Sequence, residues 1–146
     1  MKDLTALHFR KSSLGQPLID EAFCSISHAQ GWVFVGIGSL PFGLDIESMH
    51  QEHIEALELG FAPAEWRAIY PDKEGILCQF SAKEAISKLR GSGFTQEPNT
   101  IVLGENEHME QRKIETASSE RFILSLCSMH GALWDFEKLS KIVKFV

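Results

Sequence analysis

Cysteine is scarce in this chain and does not pair by spacing. The three cysteines, Cys24, Cys78 and Cys127, are odd in number and widely separated, with no C-x-x-C pair. That argues against a disulfide framework and points to buried free thiols in a reducing cytoplasm. Long apolar runs are missing too. No stretch approaches the length needed to span a bilayer, and Met1-Lys2-Asp3-Leu4-Thr5 lacks the apolar core and small-residue cleavage site of a secretory signal. A basic excess is absent as well. With 14 Lys and Arg against 20 Asp and Glu the formal net charge is -6, so a global pull towards nucleic acid is not expected and any anion site must be locally basic. What remains is 146 residues at 44% hydrophobic, enough for one globular domain with a real core.

The pattern along the chain mixes strands and helices. Residues 4–9 are mostly apolar and read as a strand, followed by a turn through Ser12-Ser13-Leu14-Gly15-Gln16-Pro17. Phe23–Ser27 and Trp32–Ile37 are rich in aromatic and β-branched residues and flank His28-Ala29-Gln30-Gly31, which predicts a hairpin. A brief strand is expected at Leu44-Asp45-Ile46-Glu47, and helical signals take over from about residue 48. Pro63 suits the first turn of a helix that Pro71 stops. Asp72 is a plausible N-cap for a longer helix to Arg90, with Ile76, Leu77, Phe80, Ile86 and Leu89 as its apolar stripe and Gly91 as its stop. Ile101–Leu103, Gln111–Glu115 and Phe122–Cys127 read as antiparallel strands, and Phe136–Val146 as a helical tail carrying Lys138, Lys141 and Lys144. The expected class is α+β, an antiparallel sheet packed against helices.

Two runs carry the chemistry. In Gly43-Leu44-Asp45-Ile46-Glu47 the two carboxylates are two apart, so on a strand they share a face. A half-exposed strand with an acidic outer face would show the same alternation. In Phe80-Ser81-Ala82-Lys83-Glu84-Ala85-Ile86-Ser87-Lys88 a helix makes Glu84 and Lys88 neighbours, with Lys83 on the adjacent flank. Taken alone, that is a surface pair worth about 0.3–0.5 kcal/mol. Taken together, the runs offer three carboxylates of the kind Mg²⁺ accepts alongside substrate phosphates, and ammonium groups to meet those phosphates. His50 and His53, among Glu47, Glu52 and Glu55, carry a competing metal-binding reading, but they are spaced i, i+3 without a third fixed ligand.

The motifs resemble those of the 4′-phosphopantetheinyl transferases of the surfactin- and enterobactin-synthetase type. That family carries a G-[IV]-D-x-E strand and a [FW]-[SC]-x-K-E-[AS]-x-x-K helix, matched by the two runs above. It also carries a Ser-His pair before the acidic motif, matched by Ser27-His28, and a Gly-x-Pro turn before that, matched by Gly15-Gln16-Pro17. Phe61-Ala62-Pro63-Ala64-Glu65 is similar to the segment before the family's helix, and the match runs from about Leu14 to Gly91. The resemblance implies Mg²⁺-dependent transfer of phosphopantetheine from coenzyme A to a serine of an apo acyl- or peptidyl-carrier protein, releasing 3′,5′-ADP. Asp45, Glu47 and Glu84 would hold the metal. Ser27, His28, Lys83 and Lys88 would bind the coenzyme, and Glu84, with Asp45 and Lys88, would carry catalysis.

The resemblance also has a gap. The family fold has two similar lobes with coenzyme A in the cleft between them. Here residues 1–42 correspond to the end of a first lobe and residues 43–146 to the second. The lysine usual in the Gly-Lys-Pro turn is Gln16, with Arg10 and Lys11 nearby. Three expectations follow: a short enzyme completed by self-association as a homo-oligomer, a degenerate module that binds coenzyme A or carrier protein without turnover, or a piece of a longer protein. Met1 at a sensible strand start favours a natural short protein.

Overall fold

The computed structural model describes residues 8–13, 15–20, 22–91, 96–129 and 142–144. Among them the strands form two antiparallel sheets. The first runs β1 (Phe9–Lys11), β2 (Pro17–Ile19), β3 (Ala22–Ala29), β4 (Trp32–Gly38) and finally β8 (Ile142–Lys144), in that spatial order. The second places β7 (Arg121–Met129) between β5 (Phe42–Ser48) and β6 (Glu107–Glu115). Between β5 and β6 the chain passes through a 3-10 helix at Ile54–Gly60, α1 (Pro63–Ile69), α2 (Lys73–Arg90) and a 3-10 turn at Pro98–Thr100. The fold is α+β, as expected.

The hairpin β3–β4 forms in the expected place, with a two-residue loop, Gln30-Gly31, whose φ values are both positive and suit the right-handed twist of the flanking strands. Helix α2 starts at Asp72, whose carboxylate accepts the Gly75 N–H at 3.1 Å, and ends at Gly91, which turns left-handed at φ 65°. Four expectations need correction or lie elsewhere. Residues 49–53 are turn and irregular, and Ile54–Gly60 is 3-10 rather than α-helical. Ile101–Leu103 is not a strand. Its carbonyls are taken by side chains of α2 instead of a neighbouring strand: Ile101 O by Lys83 Nζ at 3.3 Å and Val102 O by Arg90 at 2.7 Å. Within the expected helical tail, Ile142–Lys144 pairs with Trp32–Phe34 as β8, and the rest of the tail lies outside the described residues. So do positions 4–7 of the strand expected at residues 4–9.

Strand alternation sorts the second sheet into two faces. Leu44 and Ile46 of β5, with Phe122, Leu124 and Leu126 of β7, close on Phe34 and Phe42 as one buried cluster. The other face meets α2, where Ala85, Ile86 and Leu89 pack with Cys127 and Ile101. Gly43 lies on this second face. A Cβ there would overlap the Ala85 carbonyl oxygen and stand 2.6 Å from the Leu89 nitrogen. Only glycine lets β5 press directly on the helix backbone. Asp45, next on that face, is thereby delivered to the flank carrying Glu84 and Lys88. Among the described residues no helix is long and apolar enough to cross a membrane.

Candidate active site

Among the described strands β5 lies at the edge of its sheet, so its outward N–H and C=O groups face no strand of that set. Side chains from β3 and α2 cover them. Ser25 Oγ accepts the Leu44 N–H at 2.9 Å, and Ser27 Oγ accepts the Ile46 N–H at 3.2 Å. Lys88 Nζ donates to Leu44 O at 3.0 Å. These contacts join the β3–β4 hairpin to the second sheet and bring Ser27 and Lys88 against Asp45.

The Asp45 carboxylate is buried, and its two oxygens differ. Oδ1 accepts from Ser27 Oγ and from Lys88 Nζ, each at 3.0 Å. Oδ2 is buried and, among the described residues, accepts from no N–H, ammonium or hydroxyl. A buried carboxylate oxygen is costly to leave unpaired. Glu47, two residues on, is pushed up to about 8 by burial and then by the charges of Asp45 and Glu84, with Lys88 acting in the opposite sense and a hydrogen bond to the Asp45 carboxylate adding to the rise. Glu84 is raised by burial and then by Asp45, again opposed by Lys88. Three carboxylates therefore share one low-dielectric neighbourhood in which one ammonium does not compensate them. Among the described residues no three His, Cys, Asp or Glu side chains stand, as they are, at spacing that would hold an ion between them. The donor set fits a hard divalent cation nonetheless. It is all oxygen, Asp45 Oδ2 is engaged by neither Ser27 nor Lys88, and a cation would relieve the crowding that lifts Glu47. His50 and His53 are exposed on the turn after β5.

The other residues singled out in the sequence are placed as follows. Lys88 Nζ bonds Asp45 Oδ1 and Leu44 O, each at 3.0 Å. Lys83 is not with it. Its ammonium is buried and bonded to Glu65 Oε2 at 3.0 Å, Pro98 O at 3.1 Å and Ile101 O at 3.3 Å, above the Phe61 ring. All three of its hydrogens are engaged, so a phosphate role for Lys83 does not match its setting. Ser27 and His28 are separated by strand alternation: Ser27 is buried against β5, and His28 is exposed. Gln16, in the place of the family lysine, donates its side-chain amide to the carbonyls of Lys88 and Leu89, capping the end of α2. It borders a cavity of about 210 Å³ with Pro17, Ser25, Phe42, Ser87 and Lys88.

Glu65 does more than start its helix. It accepts the Ala62 N–H at 2.8 Å as well as Lys83. Burial works to raise its carboxyl, but these two bonds outweigh it and hold it below the usual range. The signal was its position two residues after Pro63, where a carboxylate reaches back to cap the first turn.

The family model of the 4′-phosphopantetheinyl transferase superfamily matches residues 41–137, well over half of the chain. The chain belongs to this superfamily. Among its relatives are a 4′-phosphopantetheinyl transferase of Bacillus subtilis, 29% identical, and the 4′-phosphopantetheinyl transferase gsp of Aneurinibacillus migulanus, 28% identical. The alignments cover 91% and 86% of this chain. They cover 68% of the first relative but only 60% of the second, so the chain is much shorter than either. The family resemblance read from the motifs holds, and the matched region contains the whole acidic site.

Proposed function

We propose that the chain transfers 4′-phosphopantetheine from coenzyme A to a serine hydroxyl of an apo acyl- or peptidyl-carrier protein in the cytoplasm. Asp45, Glu47 and Glu84 would hold Mg²⁺. The observation that carries this reading is the convergence of these carboxylates and Lys88 at the β5–α2 contact, with Asp45 Oδ2 buried and engaged by neither Ser27 nor Lys88. When bound, the metal would neutralise pyrophosphate charge and the charge developing on the leaving oxygen.

The protein's part is positioning and proton handling. Lys88 lies beside Asp45 and can donate to a phosphate oxygen as a compact charge. His28, exposed on the hairpin, is the further candidate for coenzyme contact. Glu84 is the proposed acceptor of the serine proton. In the reaction the serine oxygen bonds to the pantetheine-bearing phosphorus, the bridging P–O bond breaks, and 3′,5′-ADP leaves with that oxygen. Holding the two reactants in line supplies much of the rate.

We further propose that residues 1–42 are the end of a first lobe and residues 43–146 a second lobe. The division between sheets at Pro41 supports this, while β8 returns to the first sheet. A second copy of the chain is the proposed source of the remaining half-cleft. A coenzyme-binding module without turnover is favoured by one observation, that Gln16 caps α2 where the family has a lysine. Mass spectrometry of carrier protein incubated with coenzyme A and Mg²⁺ separates the two. Transfer that falls to background with Asp45→Ala, and by about 10²–10⁴-fold with Glu84→Gln, supports catalysis. Coenzyme binding without product supports the module.

A further inference from the structure

We infer that Ser27 is a positioning residue of the acidic site. The inference rests on the reading that Asp45, Glu47 and Glu84 hold a divalent cation. Ser27 is buried, 6% exposed, where β3 meets β5. Its hydroxyl has one hydrogen, and that hydrogen goes to Asp45 Oδ1 at 3.0 Å. Its oxygen accepts the Ile46 N–H at 3.2 Å, which fixes the hydroxyl relative to the strand bearing Asp45. With Lys88 donating to the same Oδ1, the carboxylate is pinned through one oxygen, and neither donor engages the other, Oδ2. An outer hydrogen bond that orients a metal-binding carboxylate in this way governs metal affinity.

Ser25 provides the internal control. It sits two residues earlier on the same face of β3 and bonds the same edge of β5 through Leu44 N and O. It takes part in no hydrogen bond to Asp45. Removing either hydroxyl strips one edge contact, but only Ser27 touches the carboxylate. If these serines merely fasten β3 to β5, Ser25→Ala and Ser27→Ala will behave alike.

The test is binding of Mn²⁺ to the full chain, followed by the electron paramagnetic resonance of the free ion, alongside thermal melts. Ser27→Ala is expected to weaken Mn²⁺ binding by roughly 10–100-fold. Ser25→Ala is expected to lower the melting temperature comparably while leaving Mn²⁺ affinity unchanged. Should Ser27→Ala fail to fold, Ser27→Thr and Ser27→Val make the same comparison, since they share a shape and differ in the hydroxyl. Tighter binding by the Thr variant supports the inference. Equal Mn²⁺ affinity in wild type and Ser27→Ala, or in the Thr and Val variants, overturns it. A wild-type chain that binds no Mn²⁺ overturns the metal reading itself, and the role of Ser27 with it.

Discussion

Gly43 and Ala85 are in backbone contact: no side chain fits at position 43 without overlapping the carbonyl oxygen of Ala85. This approach brings β5 against α2 and lets carboxylates from a strand and a helix meet. Gly43→Ala is therefore expected to destabilise the protein by about 2–3 kcal/mol through overpacking. It should also depress activity beyond what the loss of folded protein explains. Denaturant melts and activity per folded molecule check this. A variant with wild-type stability would contradict the close contact.

Lys83 is expected to act on stability and not on coenzyme affinity. Replacing it with Met removes the buried partner of Glu65, whose own side chain is 31% exposed and so retains some water. Partial hydration puts the expected loss at about 3 kcal/mol, the low end for a broken buried pair. The Michaelis constant for coenzyme A should stay near wild type. A raised constant with unchanged stability would return Lys83 to the phosphate site.

Gln16→Lys tests the departure from the family turn. A lysine there can still serve the carbonyls of Lys88 and Leu89 at the end of α2, where positive charge is favourable, and adds a cation beside the cavity bordered by Lys88. Coenzyme affinity is expected to improve by about 1 kcal/mol, roughly fivefold, with stability preserved. No change in affinity would mean that position 16 is purely structural in this chain.

Arg90 and Glu107 give an acid-sensitive fastening between α2 and β6. Arg90 Nε meets Glu107 Oε1 at 2.7 Å and its second nitrogen meets Oε2 at 2.8 Å. The Arg90 hydrogen bond is the main cause holding Glu107 below its ordinary value of 4.5, against the opposing effect of burial. A depressed folded pKa means stability that is present above 4.5 and lost as pH falls through the lower folded value. Melting temperatures measured from neutral pH down into this acid range should fall, and Glu107→Gln should flatten part of that fall. An unchanged acid slope in the variant would contradict the linkage.

The acidic strand, the helix from Asp72 to Gly91 and the β3–β4 hairpin were legible because each rests on local signals: two-residue alternation, an N-cap with a glycine stop, and a short turn between β-branched runs. The partners of long side chains were not legible. Lys83 and Lys88 are five residues apart on one helix, yet one is buried with Glu65 and the other reaches Asp45. Which way each turns depends on where Pro98–Ile101 and β5 come to lie. The same limit applies to Ile101–Leu103, whose β-branched character suggested a strand before Lys83 and Arg90 claimed its carbonyls. Ile142–Lys144 likewise follows its pairing with β4 and not the lysine spacing of the tail. The Ser27-His28 pair is legible as a motif, but not that Ser27 bonds Asp45 while His28 is exposed, because strand geometry sends the two to opposite faces.

The most direct test of the central claim is the intact mass of an apo carrier protein after incubation with this chain, coenzyme A and Mg²⁺. The account predicts a phosphopantetheine-sized increase that disappears with EDTA. Carrier protein left unmodified by folded chain, in conditions where a longer relative modifies the same carrier, would contradict it.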